Sequence, residues 1–171
     1  MMRMKRPLFH TIVTLIVAVS FAFSLNAQDP PPQGGFKNPL LTVQKSGKVA
    51  LTYSRWSEQV VKGRYTLVFF WASWSDEARE EAAWVQAVHQ KYAGKGVQVL
   101  GVPYGDEISD VMEAIPDLGV TFPNLVDVDD DLAGPFGFDS VPFTALLGPD
   151  GTVLASGLHG EGIPEAVASC L

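Results

Sequence analysis

A continuous apolar run that leads into a capped helix is the feature that most constrains the fold of this chain. Tyr65–Trp71 reads YTLVFFW, a pattern typical of a strand buried on both faces. Ser75 is a candidate N-cap, and apolar residues then recur at helical spacing through Asp76–Tyr92. Val97–Val102 follows as a second buried strand. Strands that alternate with helices require a sheet whose two faces are both covered.

The remaining patterns extend this unit on both sides. Before it we predict a pair of short strands within Leu40–Tyr53 and a helical turn at Trp56–Val61. After it we predict a helix ended by Pro116, a third strand, a helical turn, a closing hairpin and a terminal helix: Glu107–Ile115, Leu125–Val128, Asp130–Phe136, Phe143–Leu147 with Thr152–Ala155, and Pro164–Cys170. The sequence therefore predicts an α/β fold with a central mixed sheet, helices on both faces and a C-terminal β-hairpin.

The N-terminus has the pattern of an export signal. Three basic residues precede a mostly apolar stretch from Leu8 to Leu25, and Ala27 is a small residue at a suitable cleavage point. Cleavage after Ser24 is an alternative, and an uncleaved membrane anchor is another, since the apolar stretch is about 18 residues long. We expect residues 1–27 to be a cleaved signal peptide, 28–39 a flexible Pro- and Gly-rich linker and 40–171 one domain. The protein is then exported, to the periplasm or the cell envelope.

Charge and cysteine content narrow the possible functions. Removing residues 1–27, which hold three of the 12 basic residues and none of the 19 acidic ones, leaves a formal charge of −10. Such a charge opposes binding to nucleic acid and to anionic lipid, so we expect membrane contact only through an uncleaved N-terminus. Cys170 is the single cysteine, so no internal disulfide is possible. It is either a packed apolar residue of the terminal helix or a thiol that pairs with another molecule.

Two motifs resemble one family. Trp71-Ala72-Ser73-Trp74 matches the lead-in to the active site of the exported TlpA-like thiol–disulfide reductases, and Val141-Pro142 matches their cis-proline site. The resemblance extends over about residues 40–170 and implies a thioredoxin-like fold, whose element order agrees with the predicted one. It also implies that the two motifs face each other.

The chain departs from this family at the catalytic centre. Ser75 and Ala78 stand where the resemblance places the two cysteines of the C-x-x-C motif. Dithiol exchange requires a thiolate that forms a mixed disulfide, which serine and alanine cannot do. Asp76 and Glu77 occupy the first helical turn, where they would disfavour a neighbouring thiolate. We therefore expect no catalytic residue at this turn, and we interpret Ser75 as an N-cap.

Other kinds of chemistry have weaker support. Ser75 could act as a nucleophile only with a nearby base. His89 is on the order of 20 Å further along the same helix. His159 lies in a predicted loop, where a solvated histidine is far more common than a catalytic one. The acidic stretch Asp127–Asp131 does not match a calcium loop, so we interpret it as the acidic start of a helix. We expect neither a metal nor a cofactor.

A peptide-binding surface is the function that the resemblance still allows. In this family the residue before the cis-proline offers its backbone to an extended chain, which requires no cysteine. We expect a protein or peptide partner to be held by residues that the fold brings together beside Phe143: Trp71, Trp74, Ser75, Asp76, Glu77, Val141 and Pro142. The alternatives are a thiol–disulfide enzyme that acts through Cys170 or a partner's thiols in redox homeostasis, and a purely structural subunit of an envelope complex.

Overall fold

Seven strands form one mixed sheet within residues 35–171, the part of the chain that the computed structural model describes. The strands are β1 (Asn38–Val43), β2 (Val49–Ser54), β3 (Tyr65–Trp71), β4 (Val97–Pro103), β5 (Asn124–Leu125), β6 (Phe143–Leu147) and β7 (Val153–Ser156). The helices are α1 (Trp56–Gln59), α2 (Asp76–Tyr92), α3 (Ile108–Leu118) and α4 (Gly162–Ala168), with one 3₁₀ turn at Gly134–Phe136. The predicted signal peptide and most of the predicted linker lie outside the described residues.

The strand order places β3, the strand that leads into the turn at Ser75, inside the sheet with a neighbour on each side. The order is β2-β1-β5-β4-β3-β6-β7. β3 pairs in parallel with β4 and antiparallel with β6, and the β6–β7 hairpin closes one edge. The prediction of a mixed sheet with a C-terminal hairpin is therefore confirmed, and the architecture is that of a thioredoxin-like α/β fold.

The apolar run of β3 is unbroken because helices or aromatic side chains cover both faces of this strand. Leu67, Phe69 and Trp71 point into a core built with α2, α3 and α4. Val68 and Phe70 point into the opposite core, which contains residues of α1 and of the 3₁₀ turn. Since successive strand residues face opposite sides, both sides of β3 must be apolar. This burial fixes the end of β3, and with it the position of the turn that follows.

Several predicted boundaries differ from the structure, and those of α3 and β5 bear on how the prediction was made. Pro116 was predicted to end a helix, but α3 continues through it to Leu118 and ends at Gly119, which adopts a left-handed conformation with φ of 66°. A proline in the last turn removes only one N–H donor, and few residues remain after it. The predicted third strand, 125–128, is reduced to the two residues of β5 and an isolated bridge between Tyr104 and Asp127.

No helix within residues 35–171 is long and apolar enough to cross a bilayer.

Candidate functional site

The first turn of α2 is built around Ser75. Its hydroxyl oxygen accepts a hydrogen bond from the Ala78 backbone N–H at 3.2 Å, and its O–H donates to a Glu77 carboxylate oxygen, also at 3.2 Å. An N-cap bond of this kind stabilises a helix by about 1 kcal/mol. Ser75 and Ala78 are both buried, whereas Asp76 and Glu77 are exposed. The prediction that Ser75 caps α2 is confirmed.

Trp71 belongs to the core and not to the surface. Its side chain has no exposed area, and its ring N–H donates to Asn124 Oδ1 at 2.9 Å. Trp71 was expected to contact a partner, but its side chain lies on the same core-facing side of β3 as those of Leu67 and Phe69. Trp71 therefore supports the turn from beneath and offers no surface to a ligand in this conformation.

Trp74 is the exposed aromatic residue of this turn, with 66% of its surface accessible. The preceding Ser73 is tied to Asp106, whose two carboxylate oxygens accept the Ser73 backbone N–H at 2.6 Å and its hydroxyl at 2.7 Å. Trp74 lines a groove of about 470 Å³ together with acidic residues that include Asp106 and Asp127. We call it the tryptophan groove.

A second groove lies beside the predicted cis-proline. The peptide bond between Val141 and Pro142 is cis, as predicted. This groove, which we call the proline groove, has a volume of about 550 Å³ and is lined by Glu77, Glu80, Glu81 and Trp84 of α2, residues 140–142, and His159. The predicted site residues are thus divided: Glu77, Val141 and Pro142 line the proline groove, while Trp74 lines the tryptophan groove.

The backbone of Val141 is unpaired beside this groove. Val141 is partly exposed and precedes β6, which begins at Phe143. Neither its N–H nor its C=O makes a backbone hydrogen bond to another described residue. An unpaired donor and acceptor on a partly exposed residue can both be satisfied by an extended chain laid along the strand.

A contact between α2 and the loop before α4 was not predicted. His159 Nδ1 lies 2.7 Å from Glu81 Oε1, and the Gly160 backbone N–H donates to the same carboxylate at 3.1 Å. The Glu81 side chain is only 11% exposed, whereas that of His159 is 60% exposed. This carboxylate fixes the loop that forms one wall of the proline groove.

The structure pairs Ser75 with neither candidate base. The hydroxyl of Ser75 bonds to the first turn of α2, while His159 bonds to Glu81. His89 packs its ring edge-on against Phe122 at a centroid distance of 5.9 Å, and burial lowers the pKa of its imidazole. A serine–histidine nucleophile is therefore not assembled within residues 35–171.

The acidic stretch after β5 has a structural role at one position. The buried Asp127 accepts the backbone N–H groups of Leu132 and Ala133 at 3.2 and 2.8 Å. Burial raises the pKa of its carboxyl group, although these two hydrogen bonds act in the opposite direction. Helical structure begins later than predicted, at the 3₁₀ turn. No group of three or more His, Cys, Asp or Glu side chains in the described part of the chain could hold a metal ion.

Cys170 lies two residues beyond the end of α4. It is partly buried against the main core, and its sulfur is 3.9 Å from the hydroxyl of Ser169. It lines neither the proline groove nor the tryptophan groove. This position agrees with the interpretation of Cys170 as a packing residue.

Comparison with known proteins places this geometry in a family. The family model described as AhpC/TSA matches residues 38–156. The chain is 24% identical over 159 residues to the thiol-disulfide oxidoreductase ResA of Bacillus thuringiensis strain Al Hakam, covering 90% of this chain and 88% of that protein.

Two solved structures show the same fold. A thiol-disulfide oxidoreductase from Bacteroides fragilis NCTC 9343 superposes with a TM-score of 0.63 at 23% identity, covering 80% of this chain and 100% of that one. A thiol:disulfide interchange protein of the thioredoxin family from Chlorobium tepidum TLS gives a TM-score of 0.61 at 20% identity, with coverages of 82% and 95%. The chain therefore belongs to the AhpC/TSA family, and it has the thioredoxin-like fold of these thiol-disulfide oxidoreductases.

Proposed function

We propose that this protein is a non-catalytic member of its family that binds an extended polypeptide or a partner protein at the proline groove. The observation that supports this most directly is the unpaired backbone of Val141 beside that groove. A bound strand would satisfy this N–H and C=O, and side chains of the strand would enter the groove. This mode of recognition requires no thiol at the first turn of α2.

The residues at the former reactive positions support the loss of redox chemistry. Ser75 and Ala78 carry no sulfur, and Cys170 is the single cysteine of the chain. Thiol–disulfide exchange needs one thiolate to attack a disulfide and a second thiol to release the mixed disulfide. Cys170 lines neither groove, so no described feature gives it a substrate site.

We further propose that the protein acts outside the cytoplasm. The basis is the sequence of residues 1–27, with its basic start and apolar centre. Disulfides are stable in such an oxidising compartment, but this chain, which has one cysteine, cannot form one within itself. N-terminal sequencing of the protein recovered from its own cell envelope tests this, since cleavage after Ala27 or Ser24 gives distinct new termini.

The first prediction concerns catalysis. The purified protein is expected not to accelerate the reduction of insulin by dithiothreitol, because neither Ser75 nor Ala78 can form a mixed disulfide. The turbidity of precipitating insulin measures the rate. A rate above the uncatalysed one that disappears in Cys170→Ser would contradict the proposal and support an enzyme acting through that thiol.

The second prediction concerns binding. Ser140 is exposed and lines the proline groove, so Ser140→Trp is expected to fill this groove. We expect the variant to bind a cysteine-free unfolded polypeptide at least tenfold more weakly, which corresponds to a loss of about 1.4 kcal/mol of binding free energy. Fluorescence anisotropy of the labelled polypeptide measures the dissociation constant. Ser57→Trp is the matched control, since Ser57 is exposed on α1 and lines neither groove. Equal affinities for both variants would place binding elsewhere.

A further inference from the structure

We propose that the polypeptide held in the proline groove is basic, with lysine or arginine side chains that enter the groove from the bound strand. This inference rests on the proposed function: the open backbone of Val141 indicates a bound strand, and the groove beside it indicates the chemistry of that strand. The occupant is a Lys- or Arg-bearing segment of a partner protein.

Two of the carboxylates in the groove wall have no cationic partner among the described residues. Glu77, Glu80 and Glu81 contribute three carboxylates, and no lysine or arginine is among the lining residues. Within residues 35–171, Arg55 forms an ion pair with Glu58, and Glu81 bonds to His159, whose ring carries a charge only when protonated. Neither Glu77 nor Glu80 is therefore paired with a cation, and both side chains are exposed to an incoming ligand.

An aromatic ring lies among these carboxylates. Trp84 is 39% exposed and lines the same groove, one helical turn after Glu80 on α2. A tryptophan face attracts a lysine or arginine cation, and neighbouring carboxylates add to that attraction. An acidic peptide would instead place like charges against Glu77 and Glu80. The groove wall thus favours a basic peptide by attracting it and by repelling an acidic one.

The acidic side chains and the open backbone belong to one surface. Val141 and Pro142 line the groove together with four residues of α2. Alternate side chains of a strand point to the same face, so a strand paired with Val141 can direct every second residue toward α2. A segment with basic residues at alternate positions is therefore the best match to this geometry.

Three cysteine-free peptides test the proposal with the purified protein. Each is an extended sequence with threonine at every second position, and the intervening positions are all lysine, all glutamine or all glutamate. Fluorescence anisotropy is expected to show that the lysine peptide binds at least tenfold more tightly than the glutamate peptide, with the glutamine peptide between them. The lysine peptide should also bind more weakly at high salt, which screens exposed charges.

Two pairs of substitutions locate the effect. Glu77→Gln with Glu80→Gln is expected to weaken binding of the lysine peptide about three- to tenfold, since exposed charge pairs contribute modestly. Glu113→Gln with Asp117→Asn is the matched control: it removes the same net charge from exposed positions of α3, outside the groove. It should leave the affinity unchanged.

The outcomes separate this inference from the proposed function. If all three peptides bind equally and Ser140→Trp abolishes their binding, the groove binds strands but the assignment of a basic ligand is wrong. If both pairs of substitutions weaken the lysine peptide equally, its binding reflects the net charge of the protein, and the assignment is again overturned. If no peptide binds, the proposed function and this inference both fail.

Discussion

The variant Ser75→Cys with Ala78→Cys is expected to close an intramolecular disulfide and to gain insulin reductase activity. Ser75 is the N-cap and Ala78 the third residue of α2. By helix geometry, the Cα atoms of residues three apart are about 5 Å apart, within the Cα separation of about 4.4–6.8 Å that a disulfide spans. The Ser75 hydroxyl is already 3.2 Å from the Ala78 backbone nitrogen. Thiol titration before and after reduction measures the disulfide, and the insulin assay measures activity against the unmodified protein.

The activity of this variant is expected to be limited by Glu77. In the native chain a Glu77 carboxylate oxygen lies 3.2 Å from the Ser75 hydroxyl, so a thiolate at that position would lie beside a negative charge. A like charge disfavours the thiolate and raises the pKa of the thiol, offsetting the effect of the helix N-terminus. Replacing Asp76-Glu77 by Gly-Pro in the double-cysteine background should therefore lower the pKa of the thiol and raise the activity.

A control separates this local effect from the net charge. Glu80→Gln in the same background removes one charge from α2 without touching residue 75, and it should change the pKa of the thiol less than Glu77→Gln does. Thiolate absorbance against pH measures both. If no disulfide closes, the turn lacks the geometry described above. If the double-cysteine variant is already as active with Asp76-Glu77 as with Gly-Pro, the electrostatic explanation is wrong.

The elements around this turn could be predicted because their signals are local. The bounds of β3 and α2 agree with the sequence prediction, since one depends on a continuous apolar run and the other on an N-cap followed by helical spacing. The burial of Trp71 was also accessible from the sequence, because it lies in phase with Leu67 and Phe69. The resemblance to an active-site motif predicted instead that Trp71 contacts a partner. That prediction was wrong, and the alternation of side chains along the strand indicated the correct, buried position.

The rest of the site depends on contacts between distant segments. Glu81 and His159 are 78 positions apart, and neither has a sequence neighbour that indicates the other. The surface is divided into two grooves because residues 105–110 line one and the loop containing His159 lines the other. No periodic pattern in the sequence predicts where these two segments pack. The shortness of β5 has a similar cause, because strand length there is set by partners on both sides and not by its own residues.

Gly101→Ala is expected to lower the free energy of unfolding by about 2–4 kcal/mol, combining overpacking with the loss of a buried hydrogen bond. A methyl group on Gly101, in the middle of β4, would overlap the side-chain oxygen of Asn124 and approach the ring of Phe122 to 3.0 Å. That oxygen accepts the ring N–H of Trp71, so moving Asn124 aside leaves the N–H buried and unsatisfied. Urea unfolding followed by circular dichroism measures the loss.

Two comparisons test whether Asn124 is the cause. Gly162→Ala, at the start of α4, places its methyl group where nothing lies within 4 Å, so the stability should stay within about 0.5 kcal/mol of the native value. Asn124→Ala alone also leaves the Trp71 N–H without its acceptor, but it makes room for the methyl group at position 101. The double variant should then be destabilised by less than the sum of the two single changes, as expected for residues in contact. Additive effects would mean that residues other than Asn124 move to accommodate the methyl group, and the explanation given for Gly101→Ala would be wrong.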